Sequence, residues 1–185
     1  MNKNLISTLA LATVLFFAAC KKDDPEIPNE EELITSVNYT LTSTSGGADV
    51  TLSFQDLDGD GGDSPTITGG TLEANHTYTG SLELLNEAES PVEDITEEID
   101  EEDDEHQFFF TSTVSNLMVA YGDQDGDGNP IGLSSTLTTG DAASGTLTIT
   151  LRHEPSKSAT GVSDGDITNA GGETDIEVTF PVDVQ

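Results

Sequence analysis

Apolar and polar residues alternate along short stretches of this chain, and this two-residue period constrains the fold more than any other feature of the sequence. The alternation is clearest in residues 146–152 (TLTITLR) and 175–184 (DIEVTFPVDV). Successive side chains of a β-strand point to opposite faces of the sheet, so each stretch buries one face and exposes the other. The other predicted strands are residues 33–42, 48–54, 66–72, 78–85, 107–114, 117–121 and 131–137.

These eight or nine strands, within about 150 residues, predict a single all-β domain built as an antiparallel β-sandwich. The stretch 66–72 is the weakest strand, because two glycines beginning at Gly69 interrupt it. Residues 107–114 contain three consecutive phenylalanines, which predicts that both faces of that strand are covered. Pro181 lacks a backbone N–H and therefore indicates an edge or a bulge in the last strand.

One acidic segment breaks the alternation and predicts a short inserted helix over residues 91–102. The stretch SPVE at 90–93 has a serine suited to the N-cap, proline at the first helical position and glutamate at the third. Val92, Ile95 and Ile99 then fall at helical spacing on one face. Residues 101–105 are five carboxylates at the C-terminal end of this helix, where they oppose the helix dipole.

A local feature sharpens the predicted architecture. Tyr78 lies six residues after Leu72, across a polar turn. This arrangement resembles the tyrosine corner of immunoglobulin-like and fibronectin type III-like domains. The resemblance implies an immunoglobulin-like sandwich in which the hydroxyl of Tyr78 bonds to nearby backbone.

The chain is strongly acidic, with 36 Asp and Glu residues against five Lys and Arg residues and a formal net charge of −31 at pH 7. Beyond residue 22, Arg152 and Lys157 are its only Lys or Arg residues. Nucleic acid is therefore excluded as a partner, because phosphate binding needs a basic surface. A charge of this size makes the compact state repel itself, which predicts compensation by bound cations or a salty medium.

The first residues predict export and lipid anchoring. Lys3 precedes an apolar stretch at 5–19 that has the length of a signal-peptide core and is short for a membrane-spanning helix. Small residues end this stretch directly before Cys20. Because Cys20 is the only cysteine, an intramolecular disulfide is excluded.

The sequence FAAC at 17–20 resembles a bacterial lipobox, and the following KKDD resembles the surface-export signal of Bacteroidota lipoproteins. The resemblance implies cleavage before Cys20 and acylation of its thiol, which anchors the chain in the outer membrane. It also implies a domain that faces the cell exterior; the periplasmic face is the alternative. The predicted organisation is a signal peptide at 1–19, the lipidated cysteine with a flexible acidic tether at 20–32, and the sandwich domain at 33–185.

Two acidic loops share the spacing D-x-D-x-D-G, at residues 56–61 and 123–128. Calcium takes six to eight oxygens at about 2.3–2.6 Å, and alternating aspartates with a glycine bend supply such a shell. An EF-hand is rejected, because its twelfth position needs a bidentate glutamate and here holds Ile67 or Ser134. The two hypotheses that remain are a calcium site in a β-loop and a solvated Asp-Gly turn. The candidate calcium ligands are Asp56, Asp58, Asp60, Asp63, Asp123, Asp125, Asp127 and Asn129, with Asp164 and Asp166 in a third loop.

Strand direction predicts where the long acidic loops lie. If every predicted strand crosses the sandwich once, these loops leave from one end and the short turns leave from the other. The prediction depends on residues 66–72 crossing as one full strand. The long loops are residues 56–65, 86–106, 123–130 and 154–174.

The sequence contains no recognisable catalytic motif. His76, His106 and His153 lie far apart without the spacing of a zinc site, which favours surface or strand positions. We expect a non-catalytic binding or structural module, stabilised by calcium, with a protein or glycan partner that the sequence does not identify. The alternatives are an accessory protein of an envelope nutrient transporter, which captures a cation or cationic ligand, and a subunit of an envelope complex.

Overall fold

The computed structural model describes residues 33–59 and 62–185. The predicted signal peptide, Cys20 and the tether lie outside these residues, and so does Asp60. No helix in the described part of the chain has the length and apolar character needed to cross a membrane. In chain order the elements are β1 (Ser36–Ser43), β2 (Val50–Gln55), β3 (Thr66–Thr68), β4 (Gly70–Leu72), β5 (Thr77–Asn86), β6 (Glu93–Asp94), α1 (Ile95–Glu101), β7 (His106–Ser112), β8 (Met118–Tyr121), β9 (Ser134–Thr138), β10 (Ala143–His153), two 3₁₀ turns (Val162–Asp164 and Ile167–Asn169) and β11 (Glu173–Val184).

The strands form two sheets, which confirms the predicted all-β sandwich. The first sheet has the order β3-β2-β1-β5-β9-β8, with β6 paired to β5, and the second has the order β4-β11-β10-β7. Every pairing is antiparallel except that of β4 with β11. The antiparallel arrangement agrees with the clean alternation of the sequence, because such sheets can face water on one side.

The weak stretch 66–72 divides between the two sheets at Gly69. β3 pairs with β2 in the first sheet, whereas β4 pairs with β11 in the second. A Cβ atom on Gly69 would lie 2.1 Å from the carbonyl oxygen of Pro181, so only glycine fits this crossing. The edge predicted at Pro181 is local. β11 lies between β10 and β4, but the pairing with β4 begins at Val182, so the strand is paired on one side only at the proline.

The core lies between the sheets and follows the alternating pattern. β5 buries every second residue, including Tyr78, Leu82 and Leu84, and the last strand does the same from Val178 to Val184. β7 is covered on both faces, as its phenylalanines predicted. Phe108 joins the main core, and Phe109 packs with Val162 and Ala170 beneath the long loop after β10.

The predicted tyrosine corner is confirmed in its geometry. Tyr78 is fully buried, and its hydroxyl oxygen accepts a hydrogen bond from the backbone N–H of Glu73 at 2.9 Å. The ring edge of His76 packs against Tyr78 with 4.7 Å between ring centroids. These contacts hold the turn before β5 against the end of the sandwich that carries the short turns.

The inserted helix exists, but its predicted start and cap were wrong. α1 begins at Ile95, and its N-cap is Asp94, whose side chain accepts a hydrogen bond from the backbone N–H of Thr96. The residues before Ile95 are extended because Glu93 and Asp94 pair with the end of β5. The apolar stripe is therefore narrower than predicted: Ile95 and Ile99 are buried, while Val92 is 53% exposed.

Candidate functional site

The long acidic loops gather at one end of the sandwich, which we call the acidic end and define by its described residues, 56–59, 62–65, 87–105, 122–133 and 154–172. Gln55 pairs with Ser36, and Ser36 pairs with Leu85, so the loops after β2 and β5 leave the first sheet side by side. Three of the loops meet at Lys157. Its ammonium donates to the backbone carbonyl of Asp103 and lies 3.1 Å from a carboxylate oxygen of Asp125. The predicted convergence of these three loops is therefore confirmed.

Asp123 closes the base of its own loop. One carboxylate oxygen accepts the backbone N–H of Gly132 at 2.7 Å, and the other accepts the backbone N–H of Ser134 at 2.6 Å. The side chain thus spans the two strands that the loop connects. Both of its oxygens are directed toward backbone donors of this protein.

Asp125 organises the inside of the same loop. Its Oδ1 accepts the backbone N–H groups of Asp127 and Asn129, at 3.0 and 2.8 Å, and its Oδ2 faces Lys157. Burial opposes ionisation of Asp125, but the backbone N–H of Asn129 and the hydrogen bond and charge of Lys157 outweigh it and lower the pKa of the carboxyl group. The lysine ammonium therefore supplies the cation that neutralises this carboxylate.

The other predicted calcium ligands are dispersed. In the first loop Asp56 accepts the backbone N–H of Gly59, and Asp58 accepts that of Asp63. In the third loop Asp166 caps a 3₁₀ turn, and its side-chain and backbone hydrogen bonds with Thr168 lower the pKa of its carboxyl group. The structure thus brings Asp123, Asp125, Asp127 and Asn129 into one loop and places Asp56, Asp58, Asp63, Asp164 and Asp166 in two others.

The described residues instead assemble a group that the sequence reasoning missed. His106 begins β7, His153 ends β10, and the two are paired residues of neighbouring strands. Their imidazole rings stack with 4.7 Å between centroids and 21° between planes. Asp175 completes the group from β11, and one ligating atom from each of the three residues lies within 4.8 Å of the others. We call His106, His153 and Asp175 the histidine cluster.

A β-bulge positions Asp175. Leu151 pairs with Ile176, but the next residue, Arg152, pairs with Thr174, so Asp175 is the extra residue of β11. A bulge of this kind redirects a side chain relative to the regular alternation. The Oδ1 atom of Asp175 lies 3.9 Å from Nδ1 of His153. Because the bulge depends on the pairing of two distant strands, sequence spacing does not reveal it.

The histidine cluster is buried and is bordered by acidic side chains. His106 is 1% exposed, His153 is 7% exposed and the side chain of Asp175 is 2% exposed. Burial lowers the pKa of His106, so its imidazole is neutral at pH 7. At the rim, the carboxylate of Glu105 lies 3.6 Å from Nε2 of His153, and Glu154 follows His153 in the chain.

An open groove of about 500 Å³ runs between α1 and the first sheet. Its floor includes the apolar side chains of Leu82 and Leu133. The groove combines this small apolar floor with a strongly negative wall, which suits a ligand that carries both an aliphatic part and positive charge. The acidic residues along it are Glu83, Asp94, Glu97, Asp100 and Asp123.

Comparison with protein-family models, with curated proteins and with solved structures finds no match to this chain. Fold and site geometry therefore define its class: an all-β sandwich with acidic loops gathered at one end.

Proposed function

We propose that the protein is a lipid-anchored outer-membrane lipoprotein that presents a non-catalytic binding or structural sandwich to the cell exterior. The observation that carries the proposal is the separation of the two ends of the sandwich. The long acidic loops occupy one end, while the short turns meet at the other, where Thr44 bonds to Thr77 and Asn75 bonds to Gly140. A domain with one end devoted to long charged loops is suited to binding through that end.

The anchor rests on the sequence around Cys20. Acyl chains on this cysteine, each contributing roughly 0.8 kcal/mol per buried methylene, hold the protein stably in a bilayer. Metabolic labelling with a radioactive fatty acid tests this directly: the wild-type chain takes up label, and Cys20→Ser does not. Protease added to intact cells should cleave the domain; protection until the outer membrane is opened would place the domain in the periplasm.

We propose further that calcium stabilises the acidic end. The exposed aspartates include Asp58, Asp63, Asp127 and Asp164, and a bound divalent ion would offset their mutual repulsion. With about 1 mM calcium and a dissociation constant of roughly 0.1–1 mM, one site adds about 0.4–1.4 kcal/mol. Several sites together would produce a clear rise in melting temperature.

The calcium proposal is tested by melting the protein in EDTA and in millimolar calcium, alongside calorimetric titration. We expect a higher melting temperature in calcium and a measurable heat of binding. Asp58→Asn and Asp127→Asn should reduce the shift, whereas Asp183→Asn, an exposed aspartate on β11 away from the acidic loops, should leave it unchanged. An unchanged melting temperature without a heat of binding would refute calcium stabilisation.

The acidic groove favours a second function, as an accessory protein of an envelope nutrient transporter that captures a cationic ligand. The groove joins an apolar floor to carboxylates from β5 and α1. Titration with a polyamine such as spermidine tests this function at low and high salt, because a charge-driven complex weakens with ionic strength. Glu83→Gln combined with Glu97→Gln should weaken binding, and equal affinity in this variant and the wild type would rule out the groove.

A further inference from the structure

We propose that His106, His153 and Asp175 bind one divalent transition-metal ion of the zinc type at the acidic end of the sandwich. Two imidazoles and one carboxylate are a common ligand set for Zn²⁺, with a fourth position open to water or another ligand. This site is separate from the proposed calcium loops and uses nitrogen ligands that calcium does not favour. It therefore goes beyond the proposed function.

Three strands of one sheet hold the three side chains. β7, β10 and β11 are adjacent in the second sheet, and the cluster lies where β10 and β7 meet the acidic loops. Ligands on paired strands are positioned more firmly than ligands on loops. The three ligating atoms lie within 4.8 Å of one another. In a tetrahedral zinc site they would be about 3.3 Å apart, so each atom has to move by less than about 1 Å.

A hydrogen bond sets the tautomer of His106. Its Nδ1 atom lies 3.2 Å from the backbone carbonyl oxygen of Glu102. A carbonyl oxygen only accepts, so Nδ1 carries the proton and Nε2 is the ring nitrogen with the lone pair. A hydrogen bond from the second ring nitrogen to a backbone carbonyl is the usual support of a metal-bound histidine.

Acidic side chains border the histidine cluster. Glu105 approaches His153 at the rim, and Glu105, His153 and Glu154 also place one ligating atom each within 4.8 Å of the others. Both glutamates therefore border the cluster on the side of His153. An ion that loses its hydration shell here gains two imidazole nitrogens, the carboxylate of Asp175 and a negative rim.

The test uses the full chain with Cys20→Ser, purified in detergent, so that no thiol competes for the metal. After treatment with a chelator, ZnCl₂ is titrated by calorimetry in the presence of millimolar calcium, which occupies sites that prefer oxygen ligands. We expect one zinc ion per chain. At a free zinc concentration of about 100 times the dissociation constant, we expect a rise in melting temperature of about 5–10 °C.

His153→Gln and Asp175→Asn should each weaken zinc binding by more than about 100-fold, because loss of a direct ligand exceeds the 10–100-fold cost of losing a supporting residue. His76→Gln is the matched control, since His76 lies in the turn before β5 and should leave zinc binding unchanged. Far-UV circular dichroism and metal-free melting establish that each variant is folded. Cobalt in place of zinc should give the visible bands of a tetrahedral nitrogen and oxygen site in the wild type only.

Zinc binding that calcium abolishes, or that His153→Gln leaves unchanged, overturns the proposal and assigns the zinc to exposed carboxylates. If the variants fail to fold, the NMR signals of the histidine rings in the wild-type protein decide whether zinc binds at this site. Zinc should shift the signals of His106 and His153 and not that of His76, and any other outcome refutes the site. Calcium stabilisation is measured without zinc, so either proposal can fail while the other stands.

Discussion

Replacing Lys157 with methionine should destabilise the domain strongly, because it leaves a buried carboxylate without its cation. The Lys157 side chain is 5% exposed and that of Asp125 is 1% exposed, with 3.1 Å between the ammonium nitrogen and Oδ2. Removing one partner of a buried ion pair typically costs about 3–5 kcal/mol. Asp125 keeps its hydrogen bonds from the backbone of Asp127 and Asn129, so we expect the lower end, about 3 kcal/mol.

A loss of about 3 kcal/mol corresponds to a fall in melting temperature of roughly 6–12 °C for a domain of this size. Chemical denaturation at pH 7 measures the free energy of unfolding directly. Arg152→Met is the comparison variant, because it removes the same formal charge from a half-buried side chain that donates to backbone carbonyl oxygens and leaves no carboxylate without a partner. The double variant Asp125→Asn with Lys157→Met removes both charges and should be more stable than Lys157→Met alone.

The same variant predicts a pH dependence. The lowered pKa of Asp125 means that its ionised form stabilises the fold above the unfolded-state pKa of about 3.9, and that this contribution is lost as pH falls through the folded-state pKa. In Lys157→Met the folded-state pKa of Asp125 rises. The difference in the free energy of unfolding between this variant and the wild type should therefore shrink as pH falls toward 4. A stability deficit of Lys157→Met below about 0.5 kcal/mol at pH 7 would refute a buried, stabilising pair.

Three further substitutions test other parts of the fold. Tyr78→Phe should cost about 1–2 kcal/mol by chemical denaturation, because it leaves the backbone N–H of Glu73 without its acceptor. Ile99→Ala should lower the free energy of unfolding by about 2–5 kcal/mol, because it leaves a cavity beneath α1. Val92→Ala, at an exposed position, should lower it by less than about 0.5 kcal/mol. Equal effects of the two substitutions would contradict the observed start of the helix. Burial and neighbouring glutamates raise the pKa of Glu98, so its ionised form opposes folding above that pKa. Glu98→Gln should therefore raise the melting temperature slightly at pH 7 and should not raise it below about pH 4.

The alternating pattern was sufficient to predict the β-sandwich, because the two-residue period of a strand is a local property that burial on one face imposes on the sequence. Tyr78 illustrates this: a leucine, a polar turn and a tyrosine lie close together in the chain, and their geometry follows the prediction. The start of α1 shows the limit. The capping pattern at Ser90 predicts a helix from residue 91, but Glu93 pairs with the end of β5 and stays extended. This pairing is a tertiary contact that the local sequence does not show.

The gathering of acidic residues at one end was a conditional prediction from the sequence, because it required residues 66–72 to cross the sandwich as one strand. In the structure this stretch changes sheets at Gly69, and three of the loops meet at Lys157. What each acidic residue does there depended on the tertiary structure. Asp125 has the spacing of a calcium ligand, yet Lys157, distant in the chain, neutralises it.

His106, His153 and Asp175 have no common spacing in the chain, and strand order together with a bulge brings them within ligand distance. The sequence by itself determined the strands, the buried faces and the placement of charge, because these depend on neighbouring residues. The tertiary structure alone decided which charges meet, because pairing between distant strands selects the partners.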